Sequence, residues 1–325
     1  NDTMTALMKI DGLTVSYATR KNDVTALLDV SLEIEPGEVF GIVGESGCGK
    51  STLSGAIGSL LGPNGNVESG SIEISGVNAL KLKGRALRDF RAHEIGYVFQ
   101  DPMAVMDPTK TIAAQFKRLY QTSDWLQKAG DALNHVGLTD HQRVMSSYPH
   151  QLSGGMAQRV VIATALIRKP KLLIADEPTA ALDASIRASI MDLLSDWCSE
   201  IGAGMLIISH DIPIISRYCQ RIGVMYAGRF VEVSPAKEFL ASPKHPYASA
   251  LMQSEPGHEG ETGKLQSLVG APPLSISRAQ ECAFAPRCKH QHANCMTHLP
   301  IMEEIGDSSA ACCQLRVIHG GTANE

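Results

Sequence analysis

Residues 44–51 read Gly-Glu-Ser-Gly-Cys-Gly-Lys-Ser, and few eight-residue segments leave a chain less freedom in what it can fold into. The spacing matches G-x-x-x-x-G-K-[ST], a loop whose backbone wraps a polyphosphate. Its glycines let the N–H groups of residues 47–52 curl around a β-phosphate without side-chain obstruction. Lys50 supplies a point charge to the β- and γ-phosphates, and the Ser51 hydroxyl is placed to ligate Mg2+. Such a loop needs a strand before it and a helix after it, because the helix N-terminus adds its positive dipole end to the anion site. Both flanks are present. Val39–Val43 is an apolar run of strand length, and residues 50–61 carry a helical pattern. Gly44, Ser46, Gly47, Cys48, Gly49, Lys50, Ser51 and Thr52 are the candidate phosphate contacts.

Two more apolar runs end in polar residues: Leu172–Ala175 before Asp176-Glu177, and Met205–Ile208 before Ser209-His210-Asp211. Continuous apolar strands interleaved with helices indicate a parallel sheet covered on both faces. The residues after each strand then gather at the carboxyl edge, where α/β folds bind ligands. Asp176 at a strand end suits Mg2+ held through water. Glu177 can accept a proton from the water that attacks a γ-phosphate. Adjacent carboxylates repel each other, and a bound metal removes that objection. Between about 105 and 155 the pattern turns helical, with segments 112–121 and 124–136, which reads as an insertion into the α/β core.

Composition sets the outer bounds. The 325 residues suggest about two domains, and 44% hydrophobic residues allow a full core. No apolar run reaches the length of a membrane span. A net charge of −5 gives no sign of a nucleic-acid binder. The first twelve residues lack the order of a secretory signal, so reduced thiols are expected. Five of the eight cysteines (Cys282, Cys288, Cys295, Cys312 and Cys313) lie in the final stretch. Three irregularly spaced cysteines and a fourth farther on can form a tetrathiolate site. The tight pairs of common zinc modules are missing. Iron–sulfur, zinc, and unmetallated or disulfide-bonded cysteines all stay open on spacing alone.

Leu152-Ser153-Gly154-Gly155-Met156 precedes an amphipathic helix expected over 156–167 and makes a second helix N-terminus with bare N–H groups and a hydroxyl. The segment resembles the LSGGQ signature of ABC ATPases, with Met156 where glutamine is commonest. Other motifs agree in order over residues 4–250. Tyr17 resembles the A-loop aromatic that stacks on adenine. Gln100, within Tyr97-Val-Phe-Gln-Asp-Pro102, resembles the Q-loop glutamine that contacts Mg2+. Asp183 resembles the D-loop residue, and His210 the switch histidine on the γ-phosphate. The resemblance implies an α/β P-loop NTPase with a parallel-sheet core, an antiparallel β subdomain, a helical insertion and a small Cys-rich C-terminal extension. It implies a head-to-tail dimer in which each ATP lies between one chain's phosphate loop and the other's signature. Catalysis would fall to Glu177, His210, Gln100 and Lys50, with Mg2+ held by Ser51, Gln100 and Asp176. Cys48 lies near Lys50 and a helix N-terminus, which favours a reactive thiolate protected by ATP; a small residue fitting a tight turn is the plainer expectation.

The tail narrows the resemblance. Tyr226–Glu232, Ser242–Leu251 and Leu268–Pro273 are similar to the D-type ATPase subunit of dipeptide/oligopeptide importers. That implies an ATPase domain over 4–253, with its helical subdomain at about 105–155. A C-terminal extension over 254–325 would follow, with its metal-binding segment at 281–313. It implies a [4Fe–4S] cluster on Cys282, Cys288, Cys295 and Cys312, with Cys313 as the rival fourth ligand. Implied partners are a second, related ATPase, two membrane permeases and an extracytoplasmic substrate-binding protein. The implied location is the cytoplasmic face of a prokaryotic inner membrane. A soluble ABC ATPase acting on nucleic acid or ribosomes is the competing reading, disfavoured by a single cassette and net acidity. A module without hydrolysis would need damage at Lys50, Asp176, Glu177 or His210, and all four are intact.

Overall fold

Phe40, Ile42 and Val43 are almost completely shielded from solvent, as a strand covered on both faces requires. The computed structural model describes residues 6–20, 22–180, 182–254, 270–273, 281–312 and 315. Residues 255–263 of the expected linker, Leu268-Val269 and Cys313 lie outside the described residues. The chain divides into two units, one of residues 1–82 and 207–325, the other of residues 83–206.

In the first unit, Val39–Val43 runs parallel to Arg221–Tyr226, with Phe40 opposite Arg221 and Val43 opposite Val224. Arg221–Tyr226 turns back through Ala227 and Gly228 into Arg229–Pro235. Both turn residues have positive φ, 46° and 70°, the conformation that a two-residue hairpin demands. Beyond Arg229–Pro235 the sheet continues with Ser308–Ala310 and then Glu303–Ile305. A second, antiparallel sheet has the order Val24–Ile34, Met8–Tyr17, Gly65–Ile74, Val77–Asn78. Its strands alternate: Val30, Leu32 and Ile34 are buried while Asp29, Ser31 and Glu33 face out. This is the antiparallel subdomain expected from the family.

The extension is therefore sewn into the first unit rather than hung from it. Phe284 packs edge-on against Tyr226 and Tyr247, with ring centroids 5.3 and 5.4 Å away. The fully buried Glu232 carboxylate accepts the backbone N–H groups of Lys244 and His245 at 2.8 and 2.7 Å, and the Ser234 hydroxyl at 2.8 Å. Burial pushes that carboxyl up and drives the His245 imidazole down to about 3.

In the second unit, Ile95–Val98 runs parallel to Leu172–Asp176. Helices Ile112–Tyr120, Trp125–His135 and His141–Ser146 occupy the expected helical stretch. Thr111 and Asp140 cap two of them through Ala114 N–H and Arg143 N–H. Phe116, Ala129 and Leu133 form the buried seam between them.

Helix ends differ from the pattern by a few residues, for local reasons. The helix expected over 50–61 spans Lys50–Ile57, because Gly58 closes it and Ser59 turns left-handed at φ 53°. The one expected over 156–167 begins at Gly154, because the Ser153 hydroxyl accepts the Met156 N–H at 3.3 Å and starts it early.

Candidate nucleotide site

The phosphate loop leaves the buried strand at Gly44. A Cβ there would run into the Met225 carbonyl oxygen, and one at Gly49 would lie 2.9 Å from the Ala26 carbonyl oxygen. Both positions also have positive φ, 155° and 110°, so glycine is required twice over. Gly49 precedes the helix Lys50–Ile57, and among the described residues no side chain caps that N-terminus. Its first N–H groups are left for an anion. Lys50 is 9% exposed and crosses beneath the loop, where Nζ donates to the carbonyls of Gly44 and Glu45 at 2.7 and 3.0 Å. Ser51 is exposed and Thr52 half-buried. Tyr17 Oη donates to Thr52 Oγ1 at 3.5 Å, which sets the aromatic ring beside the helix's first turn.

His210 reaches the same end of the first unit. Ser209 N–H donates to the Ile42 carbonyl at 3.2 Å, so the segment leaves beside the strand that feeds the loop. Asp211 then caps Ile212–Tyr218 through Ile214 N–H, and His210 is exposed between these two anchors.

The second unit gathers its own candidates. Asp176 ends Leu172–Asp176, and Tyr97 Oη donates to its Oδ2 at 3.2 Å. Tyr97 stacks on Phe99 with centroids 4.2 Å apart, and Gln100 follows at the carboxyl end of the paired strand. Glu177 adopts φ 48°, a left-handed conformation that is costly for a residue with a Cβ and sets it apart from Asp176 in direction. Ser153 and Gly154 are exposed at the N-terminus of Gly154–Leu166, with Gly155 close to Ile186. Asp183 is exposed and opens Ala184–Ile201.

Cys48 corrects the expectation of a reactive thiolate. It is 4% exposed, and burial raises its thiol by more than Lys50 lowers it. The plainer expectation holds: a small side chain in a tight turn, touching the space above Gly44.

Three of the tail cysteines, Cys282, Cys288 and Cys295, are neighbours. Cys282 N–H donates to the Cys295 carbonyl at 2.8 Å, and the neighbouring Cys288 and Cys295 thiols add to the upward push that burial gives Cys282. Yet among the described residues no group of three or more His, Cys, Asp or Glu side chains is placed to hold a metal ion. The [4Fe–4S] ligand set of Cys282, Cys288, Cys295 and Cys312 is thus without support among the described residues.

Sequence reasoning gave no part to Glu45, Tyr247 or Arg287. The Glu45 backbone N–H donates to Tyr247 Oη at 2.8 Å, and its carboxylate is paired with Arg287. A carboxylate inside a phosphate loop was the available signal, since such a charge calls for a cation nearby.

Comparison with known proteins agrees with this geometry. Residues 27–180 match the family model described as ABC transporter, and residues 231–295 match that described as oligopeptide/dipeptide transporter, C-terminal region. A putative peptide import ATP-binding protein of Brucella abortus is 38% identical over 94% of this chain and 96% of its own length. The dipeptide transport ATP-binding protein DppD of Haemophilus influenzae is 37% identical over 94% and 95%. The oligopeptide transport ATP-binding protein OppD of Salmonella typhimurium is 36% identical over 94% and 93%. Among solved structures, the ATP-binding cassette MJ0796, dimeric in a post-hydrolysis state with ADP and Pi, superposes with a TM-score of 0.64. It is 30% identical and covers 70% of this chain and 98% of its own.

Proposed function

This chain belongs to the ABC transporter family, in its branch of peptide-import ATP-binding proteins, and on that premise we propose that it binds and hydrolyses ATP to power a peptide importer. The observation that carries the proposal is the loop at 44–51, with glycine-only geometry, a buried lysine beneath it and an uncapped helix behind it. Gly44, Ser46, Gly47, Cys48, Gly49, Lys50, Ser51 and Thr52 form the cradle for the phosphates, and Tyr17 offers its ring to the base. Ser51, Gln100 and Asp176 would hold Mg2+, which when bound would offset charge on the phosphate oxygens. Glu177 takes the proton of the attacking water, and His210 donates to the γ-phosphate. Ser153, Gly154, Gly155 and Asp183 serve the nucleotide of the opposing ATPase across a head-to-tail dimer.

The opposing ATPase is a related but distinct chain, and the pair docks on two permeases served by an extracytoplasmic binding protein. No described helix is long and apolar enough to cross a membrane. Peripheral attachment to the cytoplasmic face, through the permeases, is the location that suits this chain. The ATPase domain is taken as residues 4–253 and the extension as 254–325. A [4Fe–4S] cluster enters only as the expectation raised by the tail; no ligand group for it is found among the described residues, and no step of hydrolysis runs through it. Iron and sulfide in the purified protein, with absorbance at about 400 nm, are the measurements that decide it, and a colourless iron-free chain removes it.

The full-length chain is expected to hydrolyse Mg-ATP, and Lys50→Ala to weaken ATP binding about a hundredfold by removing a charge-assisted contact. Equal affinity in the variant and the parent would displace Lys50 from the site and, with it, the phosphate-loop reading.

A further inference from the structure

Glu45 is an awkward residue for its position. On the phosphate-loop reading it stands in a cradle for a polyanion, where a bare carboxylate would repel the ligand. It is not bare. Arg287 Nη1 donates to Oε2 at 2.6 Å and Nη2 to Oε1 at 2.9 Å, a two-pronged charge-assisted grip. The arginine side chain is 5% exposed and the carboxylate 23%, so the pair is largely sheltered from solvent screening.

Arg287 comes from a different part of the chain, the short helical turn Ala285–Arg287 between Cys282 and Cys288. Its Nη1 also donates to Tyr226 Oη at 3.3 Å, and its guanidinium lies 5.8 Å from the centre of that ring. Tyr247, which accepts the Glu45 N–H, stacks obliquely on Tyr226 at 4.6 Å. The side chain of Glu45 is therefore fixed by Arg287 of the extension, and its backbone by Tyr247 near the end of the ATPase domain.

We propose that Arg287 is a positioning residue for the phosphate loop. It neutralises Glu45 and fixes the loop's first turn, so the cysteine-bearing extension tunes affinity for nucleotide without touching it. The proposal rests on the phosphate-loop reading above. It also assigns the extension a task that needs no metal.

The test uses the full-length protein, a fluorescent ATP analogue for affinity, and Mg-ATP hydrolysis for KM and kcat. Arg287→Met is expected to weaken analogue binding and raise KM about tenfold, with kcat moving much less, because an unpaired carboxylate then faces the phosphates. Arg287→Lys should recover part of the loss, since it restores the charge without the fork. The deciding variant is E45Q/R287M, which removes both charges and should bind the analogue within about threefold of the parent. Thermal melting of each variant separates loss of folding from loss of affinity. Parent-like affinity in Arg287→Met overturns the proposal, and so does a double variant as weak as Arg287→Met alone. A parent protein that binds no Mg-ATP would instead remove the phosphate-loop reading itself.

Discussion

Glu177→Gln is expected to arrest hydrolysis while ATP still binds. The substitution keeps the size and one carbonyl oxygen of the side chain but removes its ability to take a proton. Losing a positioned general base costs about 10²–10⁴ in rate, which is about 2.7–5.4 kcal/mol of barrier. Its neighbourhood supports that assignment over a structural one. Glu177 is held at φ 48°, outside the helical and extended regions, immediately after a strand whose last residue, Asp176, is tied to Tyr97. Phosphate release would fall by that factor, and with the partner ATPase present an ATP-dependent dimer should accumulate on a sizing column, because nothing opens it. Turnover at the parent rate would assign the proton to another group.

Ser153→Arg is expected to do something different: stop hydrolysis at a nucleotide this chain does not itself cradle. Ser153 and Gly154 lie exposed at the start of Gly154–Leu166. An arginine there covers the bare N–H groups and removes the hydroxyl. The lost cap costs about 1 kcal/mol, too little to unfold the chain. Hydrolysis should fall at least about tenfold by blocking a contact made at closure, while nucleotide affinity measured on the isolated chain stays at the parent value. If affinity on the isolated chain fell with the rate, the signature would be acting on the chain's own phosphate loop, and the head-to-tail arrangement would be wrong.

How much of this was legible in the sequence differs from one element to the next. The phosphate loop could be read because its chemistry is local: the glycines, Lys50 and Ser51 lie within eight residues. The strands Val39–Val43 and Leu172–Asp176 were visible as apolar runs because both of their faces are covered. For Cys48, local charge and helix dipole raised an activated thiolate beside the plainer small-residue expectation, and the burial that decides for the latter is set by the fold. Ser308–Ala310 has three residues, too few to show any periodicity, so its place in the sheet could not be anticipated. The Arg287–Glu45 pair spans 242 positions and leaves no pattern between them. Charge pairing at such range is decided by the fold.

The pairing of Arg229–Pro235 with Ser308–Ala310 has a consequence for how the chain is made. Glu232 lies opposite Ala310 and Val233 opposite Ser309, so one flank of Arg229–Pro235 is closed by residues synthesised much later. At roughly 5–20 residues per second that flank stays open for several seconds on the ribosome. An open strand flank is a template for pairing with other nascent chains. The last stretch of polypeptide thus acts as a closing seam, and a message that ended before residue 300 would yield an ATPase core whose sheet never acquires its final border.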